Sequence, residues 1–213
     1  MQRVLQPWKS KTRAPQASPH AAKTTQASVA ADHVFGGRIA VDHLIGQGRR
    51  RLGFVSADLD NLRVQDQLRG AVLALSSAPG VALEVIRTTS GALDAGVACA
   101  EAIAQRPQAE RPDGLFCTNQ ILAIGASRVF AAGYSRRESM DVAIVGYDAP
   151  EMTSLAAVPV TAVRIPYQEM GAAAVNLLFE SISQIQQEGS ASGASTRSHV
   201  RLNPEIVSLV STA

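Results

Sequence analysis

From Asp32 onward, short all-apolar runs alternate with helical patterns, and this alternation constrains the fold more than any other feature. Residues 51–55, 82–86, 114–117 and 142–146 read as strands. Phe35, Ile39, Ala40 and Leu44 have helical spacing before the first of them, with Gly46 and Gly48 as stops. Val64, Leu68, Ala71, Val72 and Leu75 form a second helical stripe. Val97, Ala98 and Ile103 mark a third. Leu122, Ala126, Val129 and Phe130 mark a fourth, with Gly133 as its expected stop. Strands separated by helices of this length predict a parallel sheet with right-handed crossovers. Strands apolar on both sides predict helices on both faces.

After Asp148 the order changes. Residues 160–163 read as a strand, and Pro166 opens a long helix with Met170, Ala173, Ala174, Leu177, Leu178 and Ile182 on one side. A Gly/Ser-rich loop follows over 188–195. Two closing strands, 199–202 and 206–210, flank Asn203-Pro204.

Of the 213 residues, 46% are apolar, enough for a sizeable core. Residues 1–31 hold five basic residues and no acid, so the net charge of +2 hides a remainder at −3. A mildly acidic body gives no reason to expect nucleic-acid binding by itself. The basic, Pro-containing segment 1–31 reads as a disordered leader, although its composition also fits an organellar presequence. No apolar run is long enough to span a membrane, so no membrane partner is expected. Cys99 and Cys117 lack CxxC spacing, suggest no disulfide framework and read as buried structural thiols, so a reducing cytoplasm is the expected location. His20, His33, His43 and His199 lack metal spacing, and no metal or cofactor is expected. No catalytic elbow, phosphate loop or metalloprotease motif is present, so the chain does not read as an enzyme. Arg49-Arg50-Arg51 reads as a solvated strand entrance.

In an open parallel sheet, ligands bind beyond the carboxyl ends of the strands. The residues there are Ser56, Asp58, Asp60, Asn61 and Arg63, then Arg87 to Ser90, then Thr118 and Asn119, then Tyr147 and Asp148. Hydroxyls, amides, a carboxylate and an arginine suit a polyhydroxylated small molecule, and the arginine suits a carboxylate or phosphate. The same residues also read as ordinary solvated loops. Thr118-Asn119 reads equally as a helix cap, and Asp148 as a turn residue before Pro150.

Several stretches together resemble one family. Asp32-His-Val-Phe-Gly-Gly37, Ala40-Val-Asp-His-Leu-Ile45 and Gly48-Arg-Arg-Arg-Leu-Gly-Phe54 are similar to "DN..GG..A..HLI..GHRRIGF". Phe116-Cys-Thr-Asn119 with Leu122-Ala-Ile-Gly125 resembles "F..ND..A.G". Asp141-Val-Ala-Ile-Val-Gly-Tyr-Asp148 resembles "DVAVVGFDD", Pro159-Val-Thr-Ala-Val163 resembles "P.LTTV", and Met170-Gly171 resembles "E.G..A". These are patterns of the LacI/GalR family of transcription regulators, and the likeness runs from about Asp32 to the C-terminus.

The resemblance implies a type I periplasmic-binding-protein-like α/β fold, two lobes closing on a sugar or sugar acid. It also implies a homodimer and operator DNA bound through a separate helix-turn-helix headpiece. Asn119 and Asp148 match effector-facing positions, flanked by Thr118 and Tyr147. The family's arginine before the glycine of "R..GF" is Gln67 here, three residues before Gly70. Arg63 is the expected substitute, with Arg69 as the solvent-facing alternative. Gln120 replaces the usual acid after Asn119. The stretches around Asp58 to Arg63 and 113–119 look most like gluconate-type regulators. Ile124 falls near the family's dimer contact.

The expected division is a leader over 1–31, one complete lobe over 32–163 and 204–213, and a remnant of the other lobe over 164–203. No helix-turn-helix is legible, so the chain is expected to be N-terminally shortened, with DNA binding only through a headpiece it lacks. The helix after Pro166 would then carry an uncovered apolar face (Met170, Leu177, Leu178). A sugar-binding sensor or transport-associated module without DNA binding is the rival reading.

Overall fold

The computed structural model describes residues 27–135, 142–148, 151–152, 160–187 and 198–208. The expected loop over 188–195 and part of the segment 1–31 lie outside these residues, as does the end of the last expected strand.

Six of the strands legible in sequence form one sheet, and the seventh, over 199–202, lies outside it. The six are β2 (Arg51–Ser56), β3 (Ala82–Arg87), β4 (Gly114–Cys117), β5 (Ala143–Tyr147), β6 (Thr161–Arg164) and β8 (Glu205–Val207). Their order is β3-β2-β4-β5-β6-β8. All pairings are parallel except β6 with β8, so the expected parallel sheet is mixed at one edge. Two further strands, β1 (Ser28–Ala31) and β7 (His199–Leu202), pair in parallel beyond this sheet. The expected leader over 1–31 is therefore corrected: Ser28–Ala31 finds ladder partners in β7 and is ordered as a strand.

Helices α1 (His33–Gly46) and α2 (Leu62–Leu75) cover one face, around Leu52, Phe54, Phe116 and Val145. Helices α3 (Leu93–Ala104) and α4 (Gln120–Ser135) cover the other, around Val55, Leu115, Cys117 and Leu122. Helix α5 (Tyr167–Gln187) lies against β1 and β7. Cys99 and Cys117 are free and buried in the second core. Burial pushes the Cys99 thiol up to about 11 and holds Cys117 well above its usual range.

Helix contacts run through small residues. A methyl at Gly70 would fall 1.9 Å from the Val34 carbonyl oxygen, and one at Gly37 would fall 2.0 Å from the Gln67 carbonyl oxygen. Only glycine lets the two backbones approach this closely. The buried stripe of α1 is therefore Gly36, Gly37, Ala40, Val41 and Leu44, with Phe35 turned outward. That of α2 is Val64, Gln67, Gly70, Ala71 and Ala74. In α3 it is Ala95, Gly96, Cys99, Ala100 and Ile103, while Ala98 is exposed. Gly133 does not stop α4, which runs on to Ser135. Pro166 stands one residue before α5, where its carbonyl accepts from the Met170 N–H at 2.9 Å.

The chain passes between the six-stranded body and the β1–β7–α5 unit at three places: Asp32, Ile165-Pro166 and Asn203-Pro204. Each crossing lies beside a polar contact. Arg201 Nη1 is 3.7 Å from Asp32 Oδ2, Tyr167 bonds to Asp148, and Arg164 pairs with Glu205.

Candidate functional site

Three helix starts converge at the carboxyl edge of β5. Asp32 caps α1, its Oδ1 accepting from the Phe35 N–H at 2.8 Å, and so satisfies a donor that a helix start leaves free. Asn61 caps α2 and accepts from the Arg63 N–H at 3.0 Å. Helix α5 brings Tyr167, whose hydroxyl donates to Asp148 Oδ2 at 2.6 Å. Asp148 has φ 68°, a left-handed backbone that Asp tolerates better than most residues. Its N–H donates to the Val163 carbonyl at 2.7 Å.

Arg63 is exposed and its charge acts on His33, Tyr147 and Tyr167 together. Asp148 acts on the same three groups. The edge thus brings Arg63 and Asp148 to bear together on two phenols and an imidazole, with Asp32 acting on Tyr147 and His33 as well and Asp66 on His33. Burial and then the Asp148 hydrogen bond push Tyr167 up to about 12. Burial also raises Tyr147, against the pull of Gln67 and Arg63.

The structure gathers Arg63, Gln67, Tyr147 and Asp148 here, but not in the roles that loop residues would have. Tyr147 is 1% exposed, wedged against Phe116 in the core. It sits at the last position of β5 with its side chain on the α1 face, so it backs the edge and does not line it. Gln67 is 0% exposed and faces α1. Its amide lies beside the Tyr147 hydroxyl and favours that group's ionised form, yet neither amide atom meets a partner in hydrogen-bonding geometry. Arg69 is not simply solvated: its Nη1 lies 3.0 Å from Asp66 Oδ1.

Thr118 and Asn119 belong to a separate contact set after β4. The Thr118 N–H donates to the Val55 carbonyl at 3.0 Å. Asn119 Oδ1 accepts from the Leu122 N–H at 2.8 Å, capping α4, and its Nδ2 donates to the Gly91 carbonyl at 3.3 Å. The Asn119 amide is thus engaged in holding two chain segments. Gln120 is buried with both amide atoms unpartnered, beside Gly146. Ile124 is corrected as an interface residue: it is 1% exposed, packed inside the fold, while Ile121 on the same helix is 38% exposed.

Sequence reasoning missed Tyr167 and His33. Tyr167 follows a helix-opening proline and reads there as helix surface. His33 carried a signal, since it stands where the quoted family pattern has Asn. Its Nδ1 lies 2.9 Å from the Tyr147 hydroxyl. Burial first, then Arg63, hold His33 below the usual imidazole range, against Asp66, Asp32 and Asp148. Among the described residues no group of three or more His, Cys, Asp or Glu stands ready for a metal, and no helix is long and apolar enough to cross a membrane.

The periplasmic binding protein-like domain model matches residues 41–208. The HTH-type transcriptional repressor PurR of Mannheimia succiniciproducens is 29% identical over 175 residues, 81% of this chain and 48% of that protein. The chain spans about half the length of the curated relatives it matches. A LacI-family regulatory protein from Chloroflexus aggregans superposes with TM-score 0.69 at 28% identity, covering 86% of this chain and 63% of that one. The transcriptional regulator CelR in complex with cellobiose superposes with TM-score 0.66 at 29% identity, covering 86% and 53%. A mixed, mainly parallel sheet with helices on both faces and polar groups gathered at its carboxyl edge agrees with these matches. The chain belongs to the periplasmic-binding-protein-like domain family, in the form found in the effector-binding region of LacI/GalR-type regulators.

Proposed function

We propose that this chain is the small-molecule-sensing region of a cytoplasmic transcription regulator, that it takes a sugar or sugar acid, and that it acts as a homodimer. One observation carries the reading: Arg63 and Asp148 act on the same three groups at the carboxyl edge of a parallel sheet. A cation and an anion acting on the same groups, two of them phenols, suit a ligand dense in hydroxyl groups, and Arg63 suits a carboxylate on it. The printed names of relatives support the regulatory part: a helix-turn-helix repressor and a regulator holding cellobiose. Operator contact would belong to a helix-turn-helix headpiece, and effector binding would shift the population between arrangements of different DNA affinity. Chemistry on the ligand is no part of this reading.

A thermal-shift screen against cellobiose, pentoses, hexoses and aldonic acids tests it. A stabilising compound whose effect is lost in Arg63→Ala and Asp148→Asn supports the site. A hit indifferent to both substitutions, or no hit among the compounds, counts against it.

A further inference from the structure

The His33–Tyr147 contact links the start of α1 to the last residue of β5, one residue before Asp148. The bond fits a neutral imidazole whose Nδ1 accepts the phenolic proton. Gly36 makes room for it: a methyl there would fall 2.3 Å from the Tyr147 hydroxyl oxygen. Gln67 lies beside that hydroxyl, fully buried, with both amide atoms unpartnered. A buried amide left without partners is costly, and the side that favours ionised Tyr147 is its N–H side, so its carbonyl oxygen becomes an acceptor for the hydroxyl once the amide turns over. The family pattern quoted above has Asn and Phe at positions 33 and 147, and a Phe cannot form this bond.

We infer that His33 is a positioning residue of this edge, acting through a reversible hydrogen-bond exchange. Neutral His33 accepts from Tyr147, whereas protonated His33 donates to the Tyr147 oxygen and turns its hydroxyl toward the Gln67 carbonyl oxygen, which a flip of the Gln67 amide presents. One proton is taken up from solvent at His33, and the tyrosine keeps its own. The exchange re-aims the Tyr147 ring, and with it the left-handed Asp148 and the Tyr167 hydroxyl that Asp148 holds. The charged and titratable groups facing His33 are Asp32 on its own helix cap, Arg63 and Asp66 from α2, and Tyr147 and Asp148 from β5. Burial and then Arg63 oppose the proton, whereas the three carboxylates favour it, and the balance displaces the imidazole downward. Its meaning for effector affinity rests on the proposed function, whereas the exchange itself does not.

The test is nuclear magnetic resonance on the full chain, with 13C-labelled tyrosine and 15N-labelled histidine, titrated between pH 5 and 8 without ligand. The Tyr147 Cζ resonance is expected to move with the same midpoint as the His33 imidazole, and the Tyr167 resonance to follow it. Gln67→Met removes the second acceptor and should lower the His33 midpoint by about one pH unit, a tenfold loss in proton affinity. His33→Asn should leave Tyr147 and Tyr167 flat across the range. A Tyr147 signal that ignores the His33 titration in the wild-type chain overturns the exchange. A Tyr147 signal that moves while Tyr167 stays still overturns the positioning role. An unmoved midpoint in Gln67→Met overturns the part given to Gln67. None of these outcomes depends on the ligand screen, so the effector reading stands or falls separately.

Discussion

Tyr167 donates its hydroxyl proton to Asp148 across 2.6 Å, joining the first residue of α5 to the residue that follows β5. The bond also holds a backbone at φ 68° in place. Asp148→Ala should cost about 1 kcal/mol of stability from left-handed strain alone, and Asp148→Gly should cost less, in urea unfolding. Tyr167 should ionise near pH 12 in an ultraviolet titration. Asp148→Asn should bring that midpoint down by removing the charge that opposes phenolate formation.

The α1–α2 contact should be intolerant of single methyl groups. Gly70→Ala and Gly37→Ala each push a carbon into backbone atoms about 2 Å away. Each should lower stability by about 2–3 kcal/mol by urea unfolding, the upper range for overpacking. Gly46, at the end of α1, meets nothing within 4 Å. Gly46→Ala should therefore be neutral or stabilising by up to about 1 kcal/mol.

These glycines also show why the strands were legible and the helix faces less so. Every residue of β4 is buried, and a run such as Leu115-Phe116-Cys117 announces itself. The faces of α1, α2 and α3 are set by backbone proximity, so Gly, Ala and Gln sit beside Val41, Leu44, Val64 and Ile103 in the buried stripes. An apolar stripe drawn through Phe35 or Leu68 lies partly rotated from a face whose small residues carry little apolar signal. The same limit governs the site. Strand-end position puts Asp148 and Arg63 at the carboxyl edge of the sheet, but neither spacing nor pattern says which way a side chain points. Tyr147 and Ile124 were misjudged for that reason. Asn119 was legible as a cap, which the structure shows it to be.

Stability should fall with acid before any carboxylate titrates. Burial holds both His33 and His43 below the usual 6.5. The unfolded chain therefore binds more protons than the folded one as pH drops through 6.5, and stability present above that value is lost below it. Urea midpoints should decline from pH 7.5 to 5.5. His33→Asn should reduce the slope, and a second change, His43→Gln, should reduce it further.

Asn119→Ala should cost about 1 kcal/mol or more, because α4 loses its cap and the Gly91 turn loses its tie. Asn119→Asp should retain most of the stability, since a carboxylate caps equally well. Equal loss in both variants would locate the contribution in the Gly91 contact instead.

The outward face of α5 should drive self-association at high concentration. Val175, Leu178, Phe179 and Ile182 are exposed together, Phe179 at 63%. Leu178→Gln with Phe179→Gln should lower the weight-average mass in sedimentation equilibrium and leave the far-ultraviolet circular dichroism unchanged.

The three crossings between the body and the β1–β7–α5 unit have a mechanical consequence. Two of them run through prolines, Pro166 and Pro204, whose rings lock φ. Asp32 has no such ring, but bonds hold it on both sides: its N–H donates to the Leu202 carbonyl at 2.8 Å, and its carbonyl and carboxylate accept from the Gly36 and Phe35 N–H groups. Each of the three crossings is therefore stiffened where the chain passes, two by a ring and one by hydrogen bonds. The start of α1 is tied to β7 through the same aspartate that caps the helix.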